Sequence, residues 1–322
     1  MINNRLFIYS LFLFGLPLVI AWYDISVFWS FIIVLVMLLC RWGITLSGLL
    51  KPEPIPELQL DTISASHFVE KVRWSMDILG LDYTERPTAG IMGLFFTGRT
   101  VPQLKVHTGY TQSIISNSSD ILRYLWGKYG VTLQEKSQFL TPTKERLALE
   151  EKVDEYGVNL QVWGYYHILA DKELSLQMWG RNCDSLPMWQ RHTVTFLFPL
   201  LRLLVSNAFK ITDKKYAEAQ KNIKEFLSEI EQQLSENSCS ILSGNQFDYV
   251  DIAFASTSGI WLLPEAYGGG KADGVKIQHS QVPKQMRDEV EQWQQDYPKS
   301  VALIHRLYEH REVAKLDLAQ CA

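Results

Sequence analysis

Cysteine is scarce in this chain, and what there is lies far apart. Four residues (Cys40, Cys183, Cys239 and Cys321) occur in 322, with no C-x-x-C pair among them. That argues against a disulfide framework or thiol-ligated metal and fits a reducing compartment. The seven histidines form no H-x-x-x-H or H-E-x-x-H pair, so no metal site is expected. A basic excess is also missing: 31 Lys and Arg stand against 35 Asp and Glu, a net charge of −4. No global field draws the chain to nucleic acid, and none is expected as a partner. The glycine run 268–270 before Lys271 lacks the spacing of a phosphate loop and reads as a flexible turn. With 47% apolar and 20% charged residues, the chain has no disordered signature, and its length leaves room for about two domains.

Long apolar runs are confined to the first fifty residues. Leu6–Tyr23 carries no charge, Asp24 interrupts, Ile25–Cys40 is again uncharged, and after Arg41 the chain runs uncharged to Lys51. A membrane helix needs about 20 mostly apolar residues. The pattern predicts a transmembrane helical hairpin over 1–51 with its tip near Asp24. Arg5, Arg41 and Lys51 share the open end, which puts both termini on the cytoplasmic side. The rivals are a cleaved signal peptide, for which no small-x-small site follows, and an apolar dimerisation arm. Residues 52–56, Pro-Glu-Pro-Ile-Pro, then read as a stiff spacer.

From residue 57 the pattern changes. Residues 57–63 alternate as a strand. Ser64 and Ser66 can cap the helix that follows, with Glu70 in reach of a capping box, and Gly80 ends it. Further strands are expected over 81–86, 101–107 and 113–116, and a helix over 118–129 closed by Gly130. After a polar stretch at 131–143, helices are expected over 144–169, 189–209, 214–236, 252–263 and 288–310. The apolar run 195–209 is broken by Pro199 and Arg202, and we read it as a central buried helix rather than a span. Asp248-x-x-Asp251 has capping-box spacing and reads as a folding element, not a catalytic pair.

Three segments carry a family resemblance: Ser66-His67-Phe68-Val69-Glu70-Lys71-Val72-Arg73-Trp74, Val101-Pro102-Gln103-Leu104, and Asn117-Ser118-Ser119-Asp120. Together they resemble the cytosolic glutathione transferase superfamily. The first is similar to a bacterial group that often carries cysteine where Val69 stands, so thiol–disulfide exchange is disfavoured. The resemblance implies a thioredoxin-like α/β domain over 57–130, a linker over 131–143 and an all-α domain over 144–322. It implies glutathione as co-substrate, bound along the Val101 backbone ahead of a cis Pro102. Ser118 would hold the γ-glutamyl carboxylate at a helix N-terminus. Asn117 stands where the family has Glu, Asp or Gln, so it would bond the γ-glutamyl ammonium without neutralising it. Ser66 would donate to the sulfur as the catalytic residue, with Ser64 as the fallback. Trp163 and Tyr166 are candidates for the substrate cleft, whose second substrate would be a small apolar electrophile.

The function these readings favour is a membrane-anchored glutathione transferase-like enzyme on the cytoplasmic face of a bacterial inner membrane, with the bilayer and a homodimer mate as partners. The alternative is a non-catalytic binding or scaffold protein of the same fold. An isomerase or dehalogenase using the same thiolate is not separable from the first reading by sequence.

Overall fold

The computed structural model describes residues 27–50, 55–90, 101–108, 111–235, 238–242 and 246–311, with Gly15, Val19 and Met92. The chain divides into two compact units, residues 1–59 with 105–114 and residues 60–104 with 115–322. In chain order the elements are α1 (Val27–Leu50), β1 (Glu57–Thr62), α2 (His67–Leu79), β2 (Tyr83–Pro87), β3 (Gln103–Thr108), β4 (Thr111–Ser116) and α3 (Ser118–Leu133). A 3-10 turn over Gln134–Leu140 leads to α4 (Lys144–Ile168) and α5 (Lys172–Met178). Then follow α6 (Met188–Phe196), α7 (Phe198–Ala208), α8 (Asp213–Gln233), α9 (Tyr249–Leu262), α10 (Lys284–Asp296) and α11 (Pro298–Arg311). The strands form one sheet in the order β2-β1-β3-β4. The β-α-β then β-β-α order is thioredoxin-like, and among the described residues every element after α3 is helical, as the sequence pattern implies.

The first limb of the expected hairpin, Leu6–Tyr23, lies outside the described residues but for Gly15 and Val19, as does most of the proline-rich spacer. Among the described residues no helix is long and apolar enough to cross a membrane. The transmembrane reading is therefore not supported; the described helix of the apolar segment, α1, is 24 residues long and carries one charge, Arg41. The helix nonetheless exposes large apolar side chains, among them Phe28, Trp29, Leu35 and Leu39.

Within the second unit the core is built on α9. Its stretch Val250–Ala255 is wholly buried, and it packs against α2, α4 and α11. Tyr156 of α4 stacks on Phe226 of α8, ring centroids 4.7 Å apart, and its hydroxyl accepts from the Trp261 indole at 2.8 Å. The start of α9 is set by the expected box. Val250 N donates to Asp248 Oδ1 at 2.8 Å, and Asp248 N donates to Asp251 Oδ2 at 2.8 Å. Asp251 also accepts from Ile241 N, and Arg146 Nε pairs with Asp248 Oδ2, both at 2.8 Å.

Several expectations need correction. The capping box at α2 does not form: Ser66 is the N-cap but its side chain makes no capping bond, and Glu70, four residues on, is turned inward to Arg73. α3 runs past Gly130 to Leu133. The apolar stretch 189–209 is two helices that part at Leu197, with Pro199 in the first turn of the second. It is not a central buried helix. Val194, Phe198, Leu201 and Val205 are buried, but Trp189, Phe196, Leu200 and Leu203 are more than half exposed. The last expected helix likewise divides, at Tyr297, because Pro298 cannot continue the bonding. The glycine run is also held: Gly268 N donates to the buried Glu70 Oε1 at 3.0 Å.

Replacing Asp248 with alanine removes the acceptor for two backbone N–H groups and strands Arg146. The expected loss is about 1–2 kcal/mol, read as a lower urea midpoint at unchanged slope. An unchanged midpoint would remove the box from the account of α9.

Candidate functional site

The structure describes all three segments that the sequence singled out. The first is the start of α2. Ser66 is extended (φ −76°, ψ 124°) and half-buried, and its hydroxyl is not spent on capping the helix it precedes. His67, the next residue, is buried, and its Nε2 has no hydrogen-bond partner among the described residues. Burial, with the nearby Lys71 charge, pushes the imidazole down to about 3 and keeps it neutral. It wedges against α4 at Gly157, where a methyl group would meet Nε2 at 2.6 Å. Ser64 is buried beside the Cys183 thiol.

The second segment opens β3. The Val101–Pro102 peptide is cis, as the resemblance implies. Pro102 is buried and Val101 half-buried.

The third is the start of α3. Asn117 caps it with φ 78° and ψ 134°, a region that costs a non-glycine residue on the order of 1–3 kcal/mol. Its side chain accepts from Ser119 N at 3.4 Å. Ser118 is 1% exposed, and its Oγ has no hydrogen-bond partner among the described residues. A buried hydroxyl left unbonded costs about 1–3 kcal/mol. Here it lies among the free N–H groups of a 16-residue helix, which favour an anion. A carboxylate would satisfy both at once.

Sequence reasoning missed the charged cluster beside this helix start. Lys71 of α2, 2% exposed, donates to Glu150 Oε1 of α4 at 2.8 Å and lies 3.5 Å from Asp154 Oδ1. Ser119 Oγ donates to the same Glu150 oxygen at 2.7 Å, and Arg123 pairs with its other oxygen. Burial opposes the Glu150 charge, but Lys71, Ser119 and Arg123 hold its carboxyl below the usual range. The signal was present as Lys71 inside the Glu-Lys-x-Arg-Trp motif, though its partners lie about 80 residues on.

The proposed cleft residues meet elsewhere. Trp163 is fully buried, and its indole donates to Glu289 Oε2 of α10 at 2.6 Å. His167 Nε2 lies 3.2 Å from the same oxygen, and the Tyr216 hydroxyl donates to the other. Tyr166 stacks on Tyr216 at 3.9 Å and donates to Asp213. The structure thus gathers Trp163 and Tyr166 around Glu289 on α4, α8 and α10. A cleft of about 430 Å³ adjoins it, where Lys224 and Lys284 are matched by Asp288 and Glu289. The balanced charge selects no ligand.

Burial opposes ionisation of Glu289, yet the bonds from His167, Tyr216 and Trp163 outweigh it and bring the carboxyl down to about 2. An unfolded glutamate titrates near 4.3. A depressed folded value gives stability that is present above that pH and lost as pH falls toward 2. Glu289→Gln is expected to remove that acid-side slope, on the order of 2–3 kcal/mol, in unfolding measured across pH 2 to 6. Parallel wild-type and variant curves would dismiss the ionised carboxylate.

No family model and no curated protein matches the chain. Among solved structures it is similar to the beta-etherase LigF of Sphingobium sp. strain SYK-6, at 15% identity over 82% of this chain and 99% of that one, with a TM-score of 0.50. A glutathione transferase family member from Pseudomonas fluorescens pf-5, solved with two glutathione bound, matches at 13% identity over 82% and 92%, with a TM-score of 0.47. At 15% identity the first likeness shows the fold alone: the chain shares the fold of that beta-etherase, a thioredoxin-like four-stranded sheet with helices followed by a helical C-terminal region.

Proposed function

We propose that the chain is a glutathione-binding transferase held at a membrane by its N-terminal apolar segment, with the folded units on the cytoplasmic side. The observation that carries the reading is Ser118: a buried hydroxyl without a hydrogen-bond partner among the described residues, at the first position of a long helix. The γ-glutamyl carboxylate of glutathione is an anion of the kind such a helix end takes. The extended backbone at Val101 would pair with the cysteinyl moiety, and Ser66, whose hydroxyl does not cap α2, would donate to the sulfur. A thiol near pKa 8.5 needs about 2.7 kcal/mol of preferential stabilisation to titrate near 6.5. One hydroxyl and the α2 N-terminus supply terms of that order. The thiolate would then form a bond to an electrophilic carbon of an apolar substrate, whose leaving group departs with its electron pair. Membrane association rests on the exposed apolar side chains of α1.

One observation favours the non-catalytic reading. The Asn117 side chain already accepts from Ser119 N and offers the γ-glutamyl ammonium no charge. Binding without thiolate formation would be the signature of that alternative.

Calorimetric titration of the full chain with glutathione separates these readings. Ser118→Ala is expected to weaken binding by about 10- to 100-fold, the worth of a hydrogen bond to a charged group. Ser66→Ala should leave affinity nearly intact and raise the apparent pKa of the bound thiol, followed by its ultraviolet absorbance, by about one to two units. No binding at millimolar glutathione would end the transferase reading.

A further inference from the structure

Two peptide planes flank the Cα of Ser66, and together they set the direction in which its side chain leaves the chain. In the plane behind it, Ser66 N donates to Ile63 O at 2.9 Å. The other polar group of that plane, the carbonyl of Ala65, accepts from the Tyr267 hydroxyl at 3.1 Å. In the plane ahead, Ser66 O accepts from Glu70 N at 3.0 Å. The bonds to Ile63 and Glu70 are local, made by the turn before α2 and by its first turn. The bond from Tyr267 comes from 202 residues away, out of the 3-10 turn Tyr267–Gly270 that follows α9.

Tyr267 is itself held in place. It is buried, and its ring lies over Gly259 of α9, where a methyl group would meet Cδ2 at 2.7 Å. Glycine at 259 is what lets the ring come this close. The next residue fastens the same turn to α2, since Gly268 N donates to Glu70 Oε1 at 3.0 Å. One short turn thus grips Ala65, just ahead of the α2 N-cap, and Glu70, inside its first turn. Burial, with the nearby Glu70 charge, pushes the Tyr267 phenol above its ordinary value, so the hydroxyl keeps its proton and remains a donor. Tyr308 lies 6.5 Å away between ring centres and is also buried, but its hydroxyl has no hydrogen-bond partner among the described residues. Of these two phenols it is Tyr267 that bonds the turn carrying Ser66.

We propose that Tyr267 is a positioning residue for Ser66: by fixing the Ala65–Ser66 peptide plane, its hydroxyl sets the angle at which the Ser66 side chain is presented ahead of α2. The role runs through the backbone. The inference rests on the transferase reading for what Ser66 does, while the hold on position 66 is measurable without glutathione.

The test places a thiol at this position in the full chain, as Ser66→Cys. Its pKa is read from the pH dependence of iodoacetamide alkylation, followed on its own peptide by mass spectrometry. A helix N-terminus lowers a thiol from about 8.5, by an amount that depends on where the sulfur stands. Adding Tyr267→Phe, which keeps the ring and removes one oxygen, is expected to move the introduced thiol up by about half to one unit. Adding Tyr308→Phe instead should leave it in place. With Ser66 intact, Tyr267→Phe should speed amide exchange at Ser66 by about 2- to 10-fold, the worth of one hydrogen bond. With glutathione bound, Tyr267→Phe should raise the pKa of its thiol beside Ser66 but not in a Ser66→Ala background. The proposal is overturned if the introduced thiol ignores Tyr267→Phe, or if Tyr308→Phe moves it as far, the mark of a general loosening of the aromatic cluster. Equal shifts of the bound thiol with and without the Ser66 hydroxyl would overturn it too. A chain that binds no glutathione, yet whose introduced thiol and Ser66 amide respond to Tyr267→Phe, would end the transferase reading and leave the hold of Tyr267 on position 66 standing.

Discussion

The second unit depends on a set of charges that have no access to water. Glu70 and Arg73 of α2 are both fully buried and pair at 3.0 Å. Arg73 also grips Glu85 of β2 with two nitrogens, at 2.7 and 3.1 Å. Glu70 receives Arg311 of α11 at 2.8 Å and the Gly268 amide at 3.0 Å. Burying such ions costs several kcal/mol each, and the attraction recovers this only when every lone pair and proton is matched. Here the matching is nearly complete, and its partners come from four places in the chain. The cluster therefore selects one arrangement of α2, β2, the glycine turn and α11. Gly268 is part of the condition: at φ 81° its missing side chain leaves room where a methyl group would strike Ala272 Cβ at 2.2 Å.

On another face of α2, Lys71 joins α3 and α4 through Ser119 and Glu150. The motif that carries the family resemblance is thus mostly structural. Glu70, Lys71, Arg73 and Trp74 fix the helix in place, while the Ser66 side chain at its head makes no capping bond. Trp74 itself lies under the Arg311 guanidinium, 4.8 Å from ring centre to carbon.

This division explains what the sequence made legible. Local rules found α2, the strands and the box at Asp248 and Asp251, because each signal lies within a few residues of its effect; the cis proline came from the family resemblance. They failed where the partner is remote. Glu70 lies within reach of Ser66 and Ser64, but it pairs instead with a guanidinium 241 positions on. Glu289 has no local mark distinguishing it from other acids on α10, yet three donors from α4 and α8 converge on it. The stretch 189–209 misled for a different reason: a helix apolar on both sides has no amphipathic period to say which side faces out, so burial cannot be assigned without the neighbours.

The same long-range pairing shapes the electrostatics at the candidate site. Glu150 lies beside the first turn of α3, where an uncompensated carboxylate would repel an anion arriving at Ser118. It is not uncompensated: Lys71 and Arg123 each hold one of its oxygens, and Ser119 bonds the first as well. Asp154, the more exposed acid of the cluster, is pushed up in pKa by burial and by the Glu150 charge, which Lys71 only partly offsets. Lys71 and Arg123 thus stand beside two acids, Glu150 with its carboxyl shifted down and Asp154 with its carboxyl shifted up, next to a helix end that is itself positive. The residues that set this balance also hold α2 against α3 and α4. Packing and local charge are therefore coupled through Lys71: a change there would loosen the one and shift the other together.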